Sequence, residues 1–343
     1  MSHQSEHVPT VTVVTVGTNE RAWLVRCFSS LLTGGHAGHR LVVRYIDNAS
    51  GDGSTDLVAR LFPDVKITFN RTNLGFSAAN NIGMRLALDE DGADYVFLVN
   101  PDTQTPATLV RELTRFMQSR ADYGIVGPLQ YRYSSAPHNG SCTLDSLNEW
   151  SEVALRSGER HAFAADWPDH PSPAGPEDGR APGTLEHAYV QGSALFVRAA
   201  TLRAVGMFDE VFHTYYEEVD LCRRARWAGW RVALLLDLGI QHQGGGGAGT
   251  GRYRRVQMRR NRYYYLFTDI DWKLGNTMRL AGRWLRKDLC GHGVGGRTTR
   301  GRAILETAVA AMWLIGRVPQ IIDRRRRYRV LRVARSRRPI SST

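Results

Sequence analysis

The chain has 343 residues, 42% of them hydrophobic, enough for one large or two modest domains. Its net charge of +12 is uneven: residues 297–343 hold 13 arginines against Glu306 and Asp323, a local +11 that leaves the rest at +1. The basic tail therefore does not make the body a nucleic-acid binder. No run reaches the about 18 apolar residues of a membrane span. The polar opening, residues 1–10, is expected to be disordered and to carry no secretory leader. Cys27, Cys142, Cys222 and Cys290 lack metal-ligand spacing and fit the free thiols of a reducing, cytoplasmic compartment.

Val11–Val16 is a β-branched run suited to an interior strand covered on both faces. Asn19 stands where it can cap a helix with Trp23, Leu24, Cys27, Phe28 and Leu31 on one face. Leu41–Ile46 is a second strand that runs into a polar loop, Asp47–Ser54. The Asp47 carboxylate can accept the imide N–H of uracil or thymine. Asp, Asn, Ser and Gly also favour turns, and on these residues alone the turn reading leads. Strand, helix, strand and polar loop is the layout of an open α/β sheet, in which ligands bind beyond the carboxyl ends of the strands. No G-x-G-x-x-G follows Val16 and no G-x-x-x-x-G-K-[ST] occurs, which weakens nicotinamide and ATPase readings together.

Residues 65–69 give a short strand. In Asn70–Asn81, Gly75 lets backbone approach a ligand, Ser77 can cap a helix reaching Leu88, and Arg71 either meets an anion or is solvated. Tyr95–Val99 is another interior strand, ending at Asn100-Pro101-Asp102-Thr103. Asp102 at that tip suits a hard cation, Mg²⁺ or Mn²⁺. The same segment reads as a turn into a helix capped by Thr105 with Pro106 first, and both readings fit at once. A short strand at Tyr123–Val126 closes the first half. Residues 132–187 are rich in loop formers and read equally as a lid or a surface insertion. Trp150, His161, Trp167 and His170 within it have no metal spacing.

The stretch from Gly192 to Trp230 is the densest in chemistry. A strand, Ser193–Val197, precedes Glu217, Glu218 and Asp220, which open an amphipathic helix among Phe208, Phe212, Tyr215, Tyr216, Trp227 and Trp230. Rings can desolvate a carboxylate and raise its pKa toward that of a useful base, but acids also suit a helix start, so site and capping cluster are equal readings. Arg231–Leu236 is a buried strand, and His242 follows it before the glycines of Gly244–Gly249, a mobile loop able to fold over a ligand. Arg252–Ile270 is a basic, aromatic helix. Ala303–Ile315 is an apolar helix beside the polybasic run Arg324–Arg332. That pairing reads either as a peripheral membrane anchor or as packing on the main domain or a second subunit.

Together these segments resemble the inverting glycosyltransferase family 2, in particular its bacterial rhamnosyltransferase-like members. The resemblance rests on Asp47-Asn48 through Ser54, Asn73-Leu74-Gly75-Phe76 through Asn80, Asn100-Pro101-Asp102, Gly192-Ser193-Ala194, Phe208-Asp209-Glu210, Glu217-Glu218-Val219-Asp220-Leu221 and Gly229-Trp230, over residues 10–270. It implies the GT-A fold: a mostly parallel sheet with helices on both faces, plus a C-terminal helical extension at 271–343. Within the domain at 11–270 it implies a nucleotide-sugar half, 11–128, and an acceptor half, 188–250. It places Val16, Asn19, Asp47, Asn48, Arg71, Asn73, Gly75, Phe76, Asn80, Asn100, Gly192, Ser193 and Trp230 around the donor. Asp102 and His242 fall at the metal, and Glu218 at the catalytic base beside Glu217 and Asp220. The family has Asp where Glu218 stands; GT-A enzymes have two acids where Asn100 and Asp102 stand, and the rhamnosyltransferase-like members share the Asn-Pro-Asp form.

The implied reaction moves a sugar from a nucleoside-diphosphate donor, dTDP-L-rhamnose or another dTDP or UDP sugar, to a saccharide, lipid-linked or small-molecule acceptor. The implied place is the cytoplasm, at the inner face of the membrane if the tail binds lipid, with a homodimer through the C-terminal helices as the other use of the tail. A nucleotidyltransferase would want a basic glycine-rich loop after the first strand, which is absent. A nucleic-acid-binding protein would explain the tail and leave the acidic, aromatic centre unexplained.

Overall fold

The computed structural model describes residues 7–34, 38–132, 183–244, 251–294 and 297–336. Most of the 132–187 segment, with Trp150, His161, Trp167 and His170, lies outside the described residues, as do 245–250 of the glycine loop and residues 1–6.

Among the described residues, nine strands, numbered in chain order, form one sheet in the order β3-β2-β1-β4-β8-β6-β9-β5, with β7 also on β9. Its left part is parallel: β1 (Thr10–Gly17), β2 (Arg40–Asp47), β3 (Lys66–Phe69) and β4 (Tyr95–Val99). All eight residues of β1 are buried, as expected of a strand with helices on both faces. Alternation divides its side chains. Val11 and Val13 join Leu24, Phe28 and Leu113 on one face, while Val14 and Val16 join Met84 and Ala87 on the other. Helix α1 (Arg21–Leu32), α2 (Ser54–Leu61) and α4 (Leu109–Ser119) cover the first face, and α3 (Phe76–Asp89) the second. A Cβ on Gly83 of α3 would collide with Val14, so the missing side chain is what lets α3 lie close on β1.

The right part is mixed. Strand β8 (Ala194–Arg198) runs antiparallel between β4 and β6 (Tyr123–Arg132), so chain from beyond residue 187 fills a place inside the first half's sheet. The long strand β9 (Arg231–His242) runs parallel to β6, with a register shift after Pro128. Two short strands, β5 (Thr103–Gln104) and β7 (Thr184–Glu186), pair antiparallel with β9. Helices α5 (Ala199–Val205) and α6 (Glu217–Trp227) follow β8, and α7 (Arg252–Thr268), α8 (Leu274–Leu289), α9 (Arg300–Ile315) and α10 (Val318–Ser336) complete the chain.

Two expected caps are otherwise engaged. Asn19 accepts from Gly51 N–H at 2.8 Å, and α1 starts after Glu20. Helix α3 starts after Gly75, and the Ser77 hydroxyl is buried without a partner. Both helices lean on neighbouring loops for what a cap would supply. Helix α4 likewise starts at Leu109, after Thr105 and Pro106 have passed as loop beyond β5.

The C-terminal extension packs on the sheet domain. Arg324 makes a two-pronged pair with Asp209 at 2.7 and 2.9 Å, and Tyr328 donates to Asp220 at 3.3 Å and stacks near Trp227. Arg325 donates to the carbonyls of Phe267 and Asp269, and Arg332 pairs with Asp271. Three tail arginines are thus spent on internal contacts. Among the described residues, no single helix is long and apolar enough to cross a membrane, and α9 and α10 meet at 61°.

Candidate active site

Strands β1, β2 and β4 end on one edge of the sheet, where their carboxyl-end loops meet. Asn48 organises the first group. Its Nδ2 donates to Asn73 Oδ1 at 2.9 Å, and its Oδ1 accepts from Asn70 Nδ2 at 3.1 Å and Leu74 N–H at 3.0 Å. Asn73 Oδ1 also accepts from Gly75 N–H, and Thr18 donates to the Asn48 carbonyl. Asp47 accepts from Ser50 N–H at 3.2 Å and is buried. The loops after β1, β2 and β3 are therefore tied into one polar wall, with Asn19 at its rim. Val16 contributes a core side chain, so only its backbone faces this wall. Asn80 donates to the Phe76 carbonyl one turn earlier and is buried, and Arg71 is exposed.

The second group stands at the ends of β4 and β9. Asp102 Oδ1 lies 3.2 Å from His242 Nε2, and Asn100 Nδ2 lies 3.4 Å from the same nitrogen. Asp102 Oδ2 accepts from Gly244 N–H at 3.1 Å. Asn100 N–H donates to the Ser193 carbonyl, and the Ser193 hydroxyl to Gln130 at 2.7 Å. Among the described residues no group of three His, Cys, Asp or Glu side chains could hold a metal. One carboxylate and one imidazole still fit Mg²⁺ or Mn²⁺, because such an ion keeps waters and takes most remaining ligands from substrate phosphates. Glu20, which the motif reading passed over, belongs here too. Burial first, then the charges of Asp102 and Asp52, push its carboxyl up to about 7. An acid directly after a buried strand's end was the available signal.

Between the groups stands the glutamate pair. A Cβ on Gly192 would lie 3.5 Å from the Phe76 ring and 3.6 Å from Glu218 Cβ, so Gly192 opens a gap between the donor-side loop and α6. Glu217 and Glu218 are buried, and Oε2 of each lacks a hydrogen-bond partner. Burial pushes Glu218 up to about 7. Burial, with the neighbouring Glu218 charge, raises Glu217 well above the carboxylate range.

The approach to the pair is strained. His213, Tyr215 and Tyr216 have φ of 63°, 68° and 77°, a region that side chains with a Cβ rarely enter. Asn261 of α7 holds them there: its Nδ2 lies 2.8, 2.6 and 2.8 Å from the carbonyls of Phe212, Thr214 and Tyr215. The His213 carbonyl accepts from Ser77 N–H, and a Cβ on Gly75, at φ 82°, would collide with the His213 ring. The loop before α6 thereby docks on the start of α3.

Two expected site residues stand apart. Asp220 is fully buried with Arg223 at 2.5 Å and Arg224 at 2.7 Å. Burial raises its pKa, but the two guanidiniums outweigh this and hold it below the usual range. A carboxylate so paired joins α6, α7 and α10 and has no proton-accepting role to spare. Trp230 precedes β9, at the opposite end from His242, and packs over Gly124. The Gly229-Trp230 pair ends α6: Gly229 takes φ 97°, and Trp230 N–H returns to the Ala225 carbonyl. Donor contact by Trp230 is thereby corrected to a helix stop.

Residues 12–166 match the family described as Glycosyl transferase family 2. The low-salt glycan biosynthesis hexosyltransferase Agl10 of Haloferax volcanii is 30% identical over 154 residues, 45% of this chain and 44% of that protein. The N-acetylglucosaminyl-diphospho-decaprenol L-rhamnosyltransferase of Mycobacterium tuberculosis is 26% identical over 204 residues, 57% of this chain and 64% of that protein. The chain thus spans less than two thirds of the length of either relative. S. aureus TarS 1–349 superposes with a TM-score of 0.55 at 10% identity, covering 97% of this chain and 93% of that one. The mannosyltransferase PcManGT of Pyrobaculum calidifontis, in complex with GDP-Man and Mn²⁺, gives 0.55 at 13% identity, covering 96% and 85%. These likenesses show the fold, which is GT-A. Residues 12–166, a little under half of the chain, are thus similar to glycosyl transferase family 2.

Proposed function

We propose that the chain is an inverting glycosyltransferase that passes a sugar from a nucleoside-diphosphate donor to an acceptor hydroxyl by direct displacement, with Glu218 as base. The observation that carries this is the glutamate pair. Two adjoining carboxyls lie buried, each with an unpartnered oxygen, across Gly192 from the donor-side loop. Such a pair is costly to keep and suited to moving a proton near neutral pH. Burial and the Glu218 charge favour the protonated form of Glu217, while Glu218, pushed up by burial to about 7, takes the acceptor proton as the new bond forms.

The other residues position the donor. Asp47 reads the imide edge of the base, and Asn48, Asn73 and Gly75 shape the wall that seats the diphosphate. Asp102 and His242 would hold a Mg²⁺ or Mn²⁺ ion, which supplies charge neutralisation to the leaving diphosphate when bound. Attack in line with the departing diphosphate inverts the anomeric carbon without a protein nucleophile. The donor is dTDP-L-rhamnose or a related dTDP or UDP sugar, supported by similarity to an L-rhamnosyltransferase. The acceptor is a lipid-linked saccharide. Support comes from the diphospho-decaprenol substrate named for that relative and from exposed apolar residues on α9 and α10: Ile304, Leu305, Met312, Ile315, Val318 and Ile322. This surface, with Arg326 and Arg329 beside it, rests on the cytoplasmic face of an anionic membrane.

A screen of dTDP, UDP and GDP sugars by thermal shift, with and without Mn²⁺, tests the proposal. It predicts stabilisation by dTDP or UDP sugars that grows with Mn²⁺. No shift with any nucleotide sugar would remove it.

A further inference from the structure

We propose that Arg260, Trp313 and Arg317 form a seat for the diphosphate of a lipid-linked acceptor, between the exposed end of α9 and the loop that carries the glutamate pair. This deepens the glycosyltransferase reading and rests on it for the identity of the substrate.

The two guanidiniums share one indole, with their central carbons 4.6 and 5.2 Å from the Trp313 ring centroid. Two like charges this close repel unless an anion lies with them. Neither side chain has an acidic partner among the described residues. The contrast with nearby arginines is sharp: Arg223, Arg224, Arg255, Arg259, Arg262 and Arg324 each have one. Arg317 Nε is also buried with no hydrogen-bond partner. Stacking satisfies a guanidinium face but not its N–H groups. Arg260 has long, neutral acceptors, the Asn261 side chain at 3.3 Å and the Phe212 carbonyl at 3.5 Å. Burial and the charge of Arg317 lower Arg260 to about 10, as expected of a cation held without its counter-ion.

Location gives the anion its identity. Arg260 lies beside the Phe212 carbonyl, and its charge acts on His213, whose ring abuts Gly75 of the donor-side loop. The next residue, Asn261, clamps the loop leading into Glu217 and Glu218. On the other side, Met312 and Ile315 flank Trp313 and are 65% and 70% exposed. An amphiphile with its chain along α9 and its phosphates between the guanidiniums would present its sugar toward the glutamates. Arginine forks recognise phosphate oxygens in this way.

The probe is farnesyl diphosphate, titrated calorimetrically into the full chain saturated with dTDP and Mg²⁺. The parent should bind it, and farnesol far more weakly. Arg260→Gln and Arg317→Gln should each weaken binding about ten-fold or more, the loss of a charged hydrogen bond, while dTDP affinity stays within about two-fold. Arg317→Lys should recover part of the loss. Thermal melts establish that each variant is folded, and if Arg260→Gln is not, Arg317→Gln decides alone. Unchanged affinity in Arg317→Gln would overturn the proposal. So would displacement of the probe by dTDP, which would give the seat to the donor, or equal binding of farnesol, which would leave only an apolar surface. If the parent failed to bind dTDP at all, the glycosyltransferase reading would fail instead, a result read separately from the probe.

Discussion

Replacing Glu218 by Gln should change stability in opposite directions at low and high pH. Burial moves the Glu218 carboxyl from 4.5 to about 7 in the folded chain. A group whose folded pKa is raised contributes its full stability below the unfolded value and loses it as pH climbs through the folded value. At about 1.36 kcal/mol per pKa unit, ionising Glu218 costs the fold about 3 kcal/mol by pH 8. Glutamine cannot ionise, so the variant avoids that cost. It does place an amide N–H₂ where Oε2 has no partner, an unmet donor worth about 1 kcal/mol. The net is a gain of about 2 kcal/mol at pH 8 and a loss of about 1 kcal/mol at pH 4. With about 2 °C per kcal/mol for a chain of this size, the variant should melt about 4 °C higher at pH 8 and about 2 °C lower at pH 4. Scanning calorimetry of the ligand-free proteins from pH 4 to 8 reads this directly. A constant offset between the two curves would refute the burial argument.

The same substitution should cost about 10² to 10⁴ in single-turnover transfer with donor affinity unchanged, and parental kcat should rise with pH through about 7. Asp220→Asn should destabilise by about 3 kcal/mol or more, since it strands two buried guanidiniums, as measured by urea unfolding. Asn261→Ala should release the strained 213–216 loop, lowering kcat more than it raises the donor KM in steady-state kinetics. Asp102→Asn should abolish the Mn²⁺ dependence of donor affinity in calorimetry and leave metal-free affinity within about two-fold. Met312→Asp with Ile315→Asp should reduce sedimentation with anionic vesicles and leave transfer to a soluble acceptor intact.

Much of the left half of the fold was legible in the chain. The β-branched runs of β1, β2 and β4 declare interior strands, and the polar residues following each mark one edge of the sheet. The right half was less so, because β8 pairs antiparallel between two parallel neighbours and no local pattern encodes a partner. Length was also underread: β6 extends to Arg132 and β9 to His242, through residues that read as loop. In the site, the resemblance set Asp102 and His242 together, and their side chains lie 3.2 Å apart. Asp220 could not be told from its neighbours, since its partners include Tyr328, 108 residues away. The resemblance set Trp230 at the donor through the Gly229-Trp230 pair, while Gly229, at φ 97°, marks the end of a helix. Packing of the tail on the main domain was one of two readings, but its arginine partners were not legible. A run of arginines looks solvated until Asp209 and Asp271 are seen to face it.

In the proposed reaction the polar wall, the Asp102–His242 pair and the buried glutamates act together on a nucleotide sugar. Release of nucleoside diphosphate from dTDP-L-rhamnose and UDP sugars, followed with Mn²⁺ and a lipid-linked saccharide acceptor, tests it most directly. The parent chain should give acceptor-dependent release that collapses in both Asp102→Asn and Glu218→Gln. Release that persists undiminished in Glu218→Gln, or none from any nucleotide sugar with the parent, would contradict it.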